Sequence, residues 1–393
     1  MAATQPLFDA DNHYYEPPDC FTRFIEPAFR DRAIQTVVED GRESILIGDR
    51  PFTFLENVPY RIVSRPGSLR EMLRNLTNDD YNASDFREPV SPEFLERDAR
   101  LQRMDEQGLT AALLFPTLAV CVEHFLKDDV DQCYANLHAF NRWLHEDWGF
   151  DHLGRIYGVP LLSLLDVDRA VQELDWVLER GARVISLRPG PAFGRSPADP
   201  HFDPFWARVD EARVAVAFHI GESGYNEMMS VHFGEQANPP SHRQSAMQWA
   251  SFYGDRPIMD TISSMIFHNL FGRFPRLRVL SVENGSLWVP YLMKVMDKMK
   301  GMGRNGPWPG GYFRGRPSEV LKRHVFVSPY HEEDLLQLTE AIGASQVLFG
   351  SDYPHPEGLA EPHTFEEGLS GLPPEQIRQI MHDNTHRLAT GAD

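Results

Sequence analysis

Eight short apolar runs alternate with about eight helical patterns along the chain, and this alternation predicts an α/β fold, a closed (β/α)₈ TIM barrel. Several runs are almost continuously apolar, such as residues 214–218, which is typical of parallel strands buried on both faces. Eight strand–helix units favour a closed barrel over an open sheet. The predicted strands are Pro6–Ala10, Thr110–Phe115, Ile156–Leu161, Ala182–Leu187, Val214–His219, Leu277–Val282, His324–Ser328 and Gln346–Gly350.

Helical patterns fill the segments between these strands. The helix predicted over Pro92–Gln107 follows Ser91, a favourable capping residue, and has proline in its first turn. The other predicted helices are Val130–Trp148, Val167–Arg180, Pro204–Ala212, Pro257–Phe271, Leu287–Lys300, Glu332–Ile342 and Pro374–Leu388.

Two stretches do not fit the repeat and are predicted to be insertions after strands 1 and 5. Residues 20–90 contain a possible hairpin, and residues about 221–256 are polar and aromatic. Both leave the carboxyl ends of strands, where active sites of barrels lie, so we expect lids or walls of the site. Contacts between subunits are the alternative explanation. We expect residues 1–393 to form a single domain.

Composition and charge exclude several classes of protein. The 393 residues carry a formal net charge of −19, which repels phosphate backbones, so we expect no nucleic-acid partner. No apolar run reaches the roughly 18 residues of a spanning helix, which predicts no membrane contact. The three cysteines have no paired spacing, so we expect a reducing, cytoplasmic location. The expected partners are a small-molecule substrate and a second copy in a homodimer.

Polar side chains follow three of the predicted strands. Asp11 and His13 are two residues apart at the end of strand 1, where alternate residues share a face. His219 ends strand 5 and Asp352 follows strand 8. Each has an ordinary alternative explanation, a core histidine or a turn, but a closed barrel directs all of them toward one axial point. The sequence therefore predicts that they bind one metal ion together.

The chain resembles the amidohydrolase superfamily, in the amidohydrolase 2 branch that includes aminocarboxymuconate-semialdehyde decarboxylase and the aromatic-acid decarboxylases. The resemblance covers nearly the whole chain, and only the joint pattern is specific. It rests on Asp9-Ala10-Asp11-Asn12-His13, His219, Phe271-Gly272-Arg273-Phe274-Pro275-Arg276-Leu277 and Gly350-Ser351-Asp352-Tyr353-Pro354-His355.

The resemblance implies one divalent metal ion, Zn²⁺ or Mn²⁺. Asp11 stands where many relatives place the first histidine of a His-X-His pair, and its oxygen makes a hard ion such as Mn²⁺ more plausible. Asp352 is then either a metal ligand or a neighbouring carboxylate that transfers a proton. Glu283 takes the place of a histidine that the decarboxylases carry after strand 6. We interpret it as a general acid or base, or as a hydrogen-bond partner of a ligand histidine.

Four further residues are candidates for substrate binding. Arg188 ends strand 4 and is predicted to bind a substrate carboxylate, with a surface ion pair as the alternative. His355 follows Asp352 by three residues and is predicted to orient the substrate. Glu16 supports the metal site or caps a turn, and Trp288 is a wall of the pocket or part of the core.

Three functional hypotheses follow. The first is a metal-dependent hydrolase in which a metal-activated water attacks a small organic substrate that bears a carboxylate. The second is a non-oxidative, metal-dependent decarboxylase of an aromatic or unsaturated acid. The third is a barrel that binds metal or ligand without catalysis. A dinucleotide-dependent oxidoreductase is disfavoured because no Gly-X-Gly-X-X-Gly follows a strand.

Overall fold

The computed structural model describes residues 6–39, 42–55, 61–76 and 82–391. Twelve strands lie in these ranges, seven in the barrel and five in residues 34–89. They are β1 (Leu7–Tyr14), β2 (Ile34–Glu39), β3 (Arg42–Ile47), β4 (Arg50–Pro51), β5 (Ile62–Ser64), β6 (Arg87–Pro89), β7 (Leu109–Pro116), β8 (Ile156–Gly158), β9 (Val184–Leu187), β10 (Ala215–His219), β11 (Val279–Val282) and β12 (Val325–Val327).

The TIM barrel closes through two parallel sheets and the bridges between them. One sheet has the order β1-β7-β8 and the other the order β12-β11-β10-β9. A parallel bridge from Leu161 to Ser186 joins the two sheets on one side. On the other side, residues 347–350 take the place of the eighth strand: Val347 pairs with β12, and the amide of Ala10 donates to the carbonyl of Phe349 at 2.8 Å. All eight predicted strands therefore contribute to the barrel wall.

Fourteen α-helices occupy the described residues, and several cover the outside of the barrel. They are α1 (Leu69–Asn75), α2 (Arg97–Gln107), α3 (Val130–Asp147), α4 (Val167–Glu179), α5 (Asp203–Ala212), α6 (Tyr225–Met228), α7 (Ala246–Phe252), α8 (Asp255–Phe267), α9 (Leu270–Arg273), α10 (Trp288–Met302), α11 (Pro317–His324), α12 (Leu335–Ile342), α13 (Pro374–Arg378) and α14 (Asn384–Thr390). None of these helices has both the length and the apolar composition needed to cross a bilayer.

Three predicted helices are interrupted in the structure. The helix predicted from Pro92 begins as a short 3₁₀ turn, and α2 starts only after Glu96, whose backbone is extended. The pattern over Pro257–Phe271 divides at Asn269, which has a left-handed backbone conformation. The C-terminal helix contains a π turn over Gln379–Asp383. The sequence pattern missed these breaks because the apolar spacing continues through them.

The interior of the barrel is filled at its amino-terminal end. Phe8 and Tyr157 stack there with their ring centroids 5.5 Å apart, within a cluster of apolar side chains from the other strands. Polar side chains occupy the carboxyl ends of the strands instead, where His13 and His219 are both buried. This division leaves the carboxyl end as the place where a substrate can enter.

The two segments predicted as insertions fold over the carboxyl end of the barrel. Strands β2, β3 and β4 form an antiparallel sheet that includes the predicted hairpin, although its turn residues Asp40 and Gly41 lie outside the described residues. Strands β5 and β6 form a second antiparallel pair. The amide of Ser241 donates to the carbonyl of Phe54 at 2.7 Å, so the two segments touch.

A buried arginine on α2 fixes the carboxyl end of β1. Arg100 is fully buried; it donates to the side chain of Asn12, to the carbonyl of His13 at 2.7 Å and to the carbonyl of Glu93 at 2.7 Å. Burial lowers the pKa of Arg100 to about 10. A guanidinium holds its N–H donors in a fixed planar arrangement and reaches three acceptors at once. A lysine ammonium at the same position would not direct its donors to all three acceptors as well.

We expect Arg100→Met to lower the free energy of unfolding by about 3 kcal/mol, because two buried acceptors and one half-buried acceptor lose their donor at roughly 1 kcal/mol each. Chemical denaturation monitored by circular dichroism measures this loss. The matched control is Gln102→Met on the exposed face of the same helix, which should change stability by less than about 0.5 kcal/mol. An Arg100→Met protein as stable as the control would contradict the role assigned to this residue.

Candidate active site

Four side chains from three strand ends converge at the carboxyl end of the barrel. They are Asp11, His13, His219 and Glu283, and one donor atom of each lies within 4.8 Å of the others. The two histidine Nε2 atoms are 3.2 Å apart. Nε2 of His219 lies 3.2 Å from Oε2 of Glu283, and Nε2 of His13 lies 3.3 Å from Oδ1 of Asp11. The structure thus brings together three of the predicted metal ligands and the predicted acid or base Glu283.

These spacings match the ligand shell of a divalent metal ion. Donor atoms about 2.1 Å from one ion at tetrahedral or octahedral angles are separated by roughly 3.0–3.4 Å. Nδ1 of His219 lies 2.8 Å from the carbonyl of Ile220, so its N–H donates there and Nε2 presents a lone pair to the centre. Oδ1 of Asp11 is buried and has no hydrogen-bond partner among the described residues. The residues present therefore fit a metal ion.

Burial and neighbouring charges shift the pKa values of the ionisable groups in the cluster. Burial acts to raise the pKa of Asp11, but the closeness of the two histidines prevails and holds it well below its usual value. Burial also raises the pKa of Glu283 to about 8, against the opposing effect of His219. Burial and the neighbouring His355 lower the pKa of His13 to about 3. A set of buried carboxylates and imidazoles is costly unless protons or a cation compensate its charges.

A hydrogen-bonded pair, Asp352 and His355, lies beside this cluster. Nδ1 of His355 is 2.6 Å from Oδ1 of Asp352, and the same oxygen is 3.4 Å from Nε2 of His13. The imidazole rings of His355 and His13 are tilted by 37° to each other, with centroids 4.1 Å apart. Burial, with Glu283 and other carboxylates nearby, raises the pKa of Asp352 well above its usual value. The structure therefore brings both residues to the site, as predicted.

Hydrogen-bond geometry assigns a proton to this pair. The hydroxyl of Thr117 donates to the carbonyl of Tyr14 at 2.9 Å, so it accepts from Nε2 of His355 at 3.0 Å. Nδ1 of His355 then faces Asp352 either as a second N–H donor or as the acceptor of a carboxyl proton. In both cases the pair holds one proton more than a neutral histidine and a carboxylate.

Both carboxylates after strands 6 and 8 have a left-handed backbone conformation. The φ angles of Glu283 and Asp352 are both 55°, a region that side chains other than glycine rarely occupy and that costs about 1–3 kcal/mol. Neighbouring groups stabilise these turns. The hydroxyl of Tyr330 donates to the carbonyl of Glu283 at 2.9 Å, and the amide of Asp352 donates to the carbonyl of Asp11 at 2.7 Å.

Asp9, two residues before Asp11 on β1, serves a different purpose from Asp11 and His13. The pairing of β1 is irregular between Asp9 and Asn12, so the simple alternation does not hold there. The carboxylate of Asp9 accepts from the amide and hydroxyl of Ser351 and from the side chain of Asn12 at 3.0 Å. Burial raises the pKa of Asp9 to about 7. It joins the first strand end to the loop that carries Asp352.

A cavity of about 450 Å³ opens directly above the cluster. Its floor contains His13, His219, Glu283 and His355. Residues of both inserted segments form its walls, together with the loop after β7. The wall residues are Tyr15, Phe54, Leu55, Ile62, Val63, Ser64, Arg87, Pro116, Thr117, Val120, Cys121, Ile220, Ser241, His242, Tyr253, Pro356 and Glu357.

Arg188, predicted to bind a substrate carboxylate, does not line this cavity. Its Nη1 donates to the carbonyl of Ser223 at 2.5 Å, and its Nη2 donates to the carbonyl of Pro191 at 3.1 Å. Its Nε lies 3.4 Å from a carboxylate oxygen of Glu123. These contacts direct the guanidinium into the protein, where it holds the loops that follow β9 and β10.

Glu16 and Trp288 also lie outside the cavity lining. The carboxylate of Glu16 accepts from the amides of Leu118 at 2.9 Å and Ala119 at 2.8 Å, which is the turn-capping arrangement. Burial raises the pKa of Glu16 to about 7, although these hydrogen bonds oppose the change. Trp288 is 2% exposed and its Nε1 donates to the carbonyl of Gly285 at 3.0 Å, so it is part of the core.

Two residues of the site were not found from the sequence. Arg87 lines the cavity from β6, directly opposite Ser64 of β5. Nothing in the sequence near Arg87 marks it, because its position depends on how residues 61–89 pack over the barrel. Thr117 had a weak signal, since it directly follows a buried strand, as catalytic residues of barrels do.

The fold and this set of strand-end ligands define an amidohydrolase-type barrel, and comparison with known proteins identifies the family. A family model described as amidohydrolase, of the amidohydrolase 2 type, matches residues 72–388. The chain belongs to this family, whose members depend on divalent metal ions, and it is therefore an enzyme, a hydrolase or a carboxy-lyase. No curated protein matches the chain by sequence.

Solved structures agree with this assignment. An amidohydrolase from Mycobacterium avium subsp. paratuberculosis K-10 is 39% identical, with a TM-score of 0.89 over 99% of this chain and 100% of that one. A 5-carboxyvanillate decarboxylase from Sphingomonas paucimobilis is 16% identical, with a TM-score of 0.63 over 98% and 99%. A dihydroxybenzoic acid decarboxylase from Polaromonas sp. JS666, solved with manganese and 2-nitroresorcinol, is 13% identical, with a TM-score of 0.59 over 98% and 96%. The last two share the fold.

Proposed function

We propose that the protein is a divalent-metal-dependent hydrolase that acts on a small organic substrate bearing a carboxylate. The observation that supports this most is the arrangement at the cavity floor. A cluster of buried metal-ligand atoms lies within 4.8 Å, and a proton-carrying pair, Asp352 and His355, lies next to it. Hydrolysis requires both a Lewis acid and a group that takes and returns a proton.

Asp11, His13 and His219 would hold the metal ion, together with a carboxylate from a neighbouring strand end. A bound divalent ion polarises a carbonyl oxygen and acidifies water, and Zn²⁺ or Mn²⁺ suits this mixture of nitrogen and oxygen donors. His219 is held in the required tautomer by the carbonyl of Ile220.

The Asp352–His355 pair would transfer protons during the reaction. In its deprotonated form the pair accepts a proton from the attacking water, and it then returns that proton to the leaving group. Thr117 fixes the ring of His355 through Nε2 at 3.0 Å, so that Nδ1 stays directed at Asp352. The buried location keeps bulk water from competing for this proton.

Arg87 and the aromatic walls indicate the class of substrate. The rings of Tyr15, Phe54 and Tyr253 enclose an apolar body, and Arg87 is the only lysine or arginine among the described residues that line the cavity. Arg87 forms no ion pair with a described residue, in contrast to Arg188. A guanidinium in this position would bind a substrate carboxylate with two parallel hydrogen bonds.

A non-oxidative carboxy-lyase is the second candidate. The observation that favours it is the proton held between Asp352 and His355, which would protonate carbon as CO₂ leaves. The decarboxylases named above also share the fold, and one of them was solved with manganese.

We expect His219→Ala to lose at least about nine-tenths of the bound divalent metal, because it removes a nitrogen ligand whose orientation the fold fixes. Elemental analysis of the purified protein gives the metal content. His363→Ala, which removes an exposed histidine, is the matched control and should retain the wild-type content. Equal metal content in the two variants would remove His219 from the ligand set.

We expect Arg87→Gln to abolish a preference for dicarboxylates. Terephthalate and isophthalate should bind the manganese-loaded wild type at least about tenfold more tightly than benzoate, because Arg87 engages the second carboxylate. Isothermal titration measures the three affinities. Arg70→Gln, an exposed change in the same segment, should leave them unchanged. If Arg87→Gln keeps the dicarboxylate preference, the prediction that Arg87 binds a substrate carboxylate is wrong.

Hydrolysis and decarboxylation differ in whether oxygen from water enters the organic product. With a substrate found by screening small aromatic and unsaturated acids, amides, esters and lactones, turnover in H₂¹⁸O should place one ¹⁸O atom in the product and release no CO₂. Mass spectrometry of the product and a coupled CO₂ assay read the two outcomes. If CO₂ is released in equal amount to product and the organic product contains no ¹⁸O, the hydrolase proposal is wrong and the carboxy-lyase proposal is supported.

A further inference from the structure

We infer that a second cavity, among the helices outside the barrel wall, binds a small aromatic anion that carries a carboxylate or a phosphate. This outer cavity has a volume of about 320 Å³ and lies between α8, α9, α11 and the loop that follows α10. None of its lining residues lines the active-site cavity. It includes the start of the segment 271–277, which the active site does not use. Cavities of this size hold small organic ligands in many proteins.

The charged side chains that line the outer cavity are arginines. Arg314 and Arg323 line it, and no aspartate or glutamate among the described residues does so. The active-site cavity and two larger surface grooves each have at least two carboxylates in their linings. In a chain with a formal net charge of −19, two guanidiniums in a cavity without carboxylates form a local positive region that attracts an anion.

Neither of these arginines has a partner within the described part of the chain. Arg314 and Arg323 take part in no hydrogen bond or ion pair with a described residue. In contrast, Arg316, two residues after Arg314, forms an ion pair with Asp297 at 3.2 Å. A guanidinium without a partner keeps its fixed planar donors available for a carboxylate or a phosphate from outside the protein.

Aromatic and aliphatic side chains provide the apolar surface of the outer cavity. Phe271 is buried and stacks on His324, with ring centroids 4.5 Å apart and planes 21° apart. From the loop after α10, Tyr312 and Phe313 line the same cavity, and Tyr312 is 58% exposed. A flat apolar ring can pack against these surfaces while its anionic substituent reaches the arginines. The combination favours an aromatic anion over a free inorganic one.

Polar contacts hold the walls of the outer cavity in place. Asn269 has a left-handed φ of 53°, and its Nδ2 donates to the carbonyl of Gly310 at 3.0 Å. Gly272 leaves room for this side chain, because a Cβ there would lie 2.0 Å from Oδ1 of Asn269. Nζ of Lys300 donates to the carbonyl of Phe313 at 2.7 Å. These contacts attach the loop to α9 and α10, so little ordering is left for a ligand to impose.

The test is equilibrium dialysis of the manganese-loaded enzyme against benzoate and, separately, against phenyl phosphate, with the number of bound molecules measured at saturation. The double variant Arg314→Gln/Arg323→Gln should bind one molecule fewer than the wild type, because the active site is unchanged. The matched control, Arg304→Gln/Lys322→Gln, removes two exposed positive charges outside the cavity lining and should bind as the wild type does. The two probes distinguish a carboxylate from a phosphate as the preferred group.

Circular dichroism establishes that each variant is folded before the bound amounts are compared. If the double variant does not fold, Arg323→Gln takes its place and should weaken the binding of that one molecule by at least about tenfold. Equal binding by the wild type and the arginine variant, for both probes, overturns the inference. The same loss in the control also overturns it, because net charge rather than the cavity would then attract the anion. A failure of the proposed function leaves this comparison intact, since all the proteins compared have the same active site.

Discussion

The cost of burying ionisable groups at the carboxyl ends of the strands is the constraint on which the rest of this structure depends. Asp11, Asp352 and the two histidines of the cluster are almost inaccessible to solvent, and they approach one another within hydrogen-bonding or ligand distance. In a region of low dielectric such a set is stable only when protons, hydrogen bonds or a cation balance its charges. The surrounding structure supplies the first two, and the geometry of the centre is suited to the third.

The supports of this cluster come from elements far apart in the sequence. Asp9 joins β1 to the loop after the eighth barrel segment through Ser351. Arg100 on α2 holds the carbonyl of His13, and Tyr330 holds the carbonyl of Glu283. Each contact fixes a backbone position at or next to a functional residue, and Asp9, Arg100 and Tyr330 do not themselves line the cavity. Orienting groups of this kind are what keep reactive atoms within a fraction of an ångström of a working geometry.

Much of the barrel and part of the site followed from the sequence. Buried parallel strands have a strong apolar signal, and the residues at their carboxyl ends meet wherever the barrel closes, so Asp11, His13, His219 and Asp352 were found together. Arg188 also follows the carboxyl end of a strand, but its side chain points into the protein toward Ser223 and Glu123. This direction depends on tertiary packing, which the local sequence does not indicate. Arg87 was missed for the complementary reason, because the fold of an insertion brings it to the cavity.

Left-handed backbone at Glu283 and Asp352 links the stability of the protein to its chemistry. At about 1–3 kcal/mol each, these two turns are among the less favourable local conformations of the chain, and neither is a glycine. The turns redirect two carboxylates toward the imidazoles, and hydrogen bonds from Tyr330 and from the amide of Asp352 offset the strain. The site is therefore maintained by long-range contacts against local preference, which is why sequence patterns identify its residues more readily than their roles.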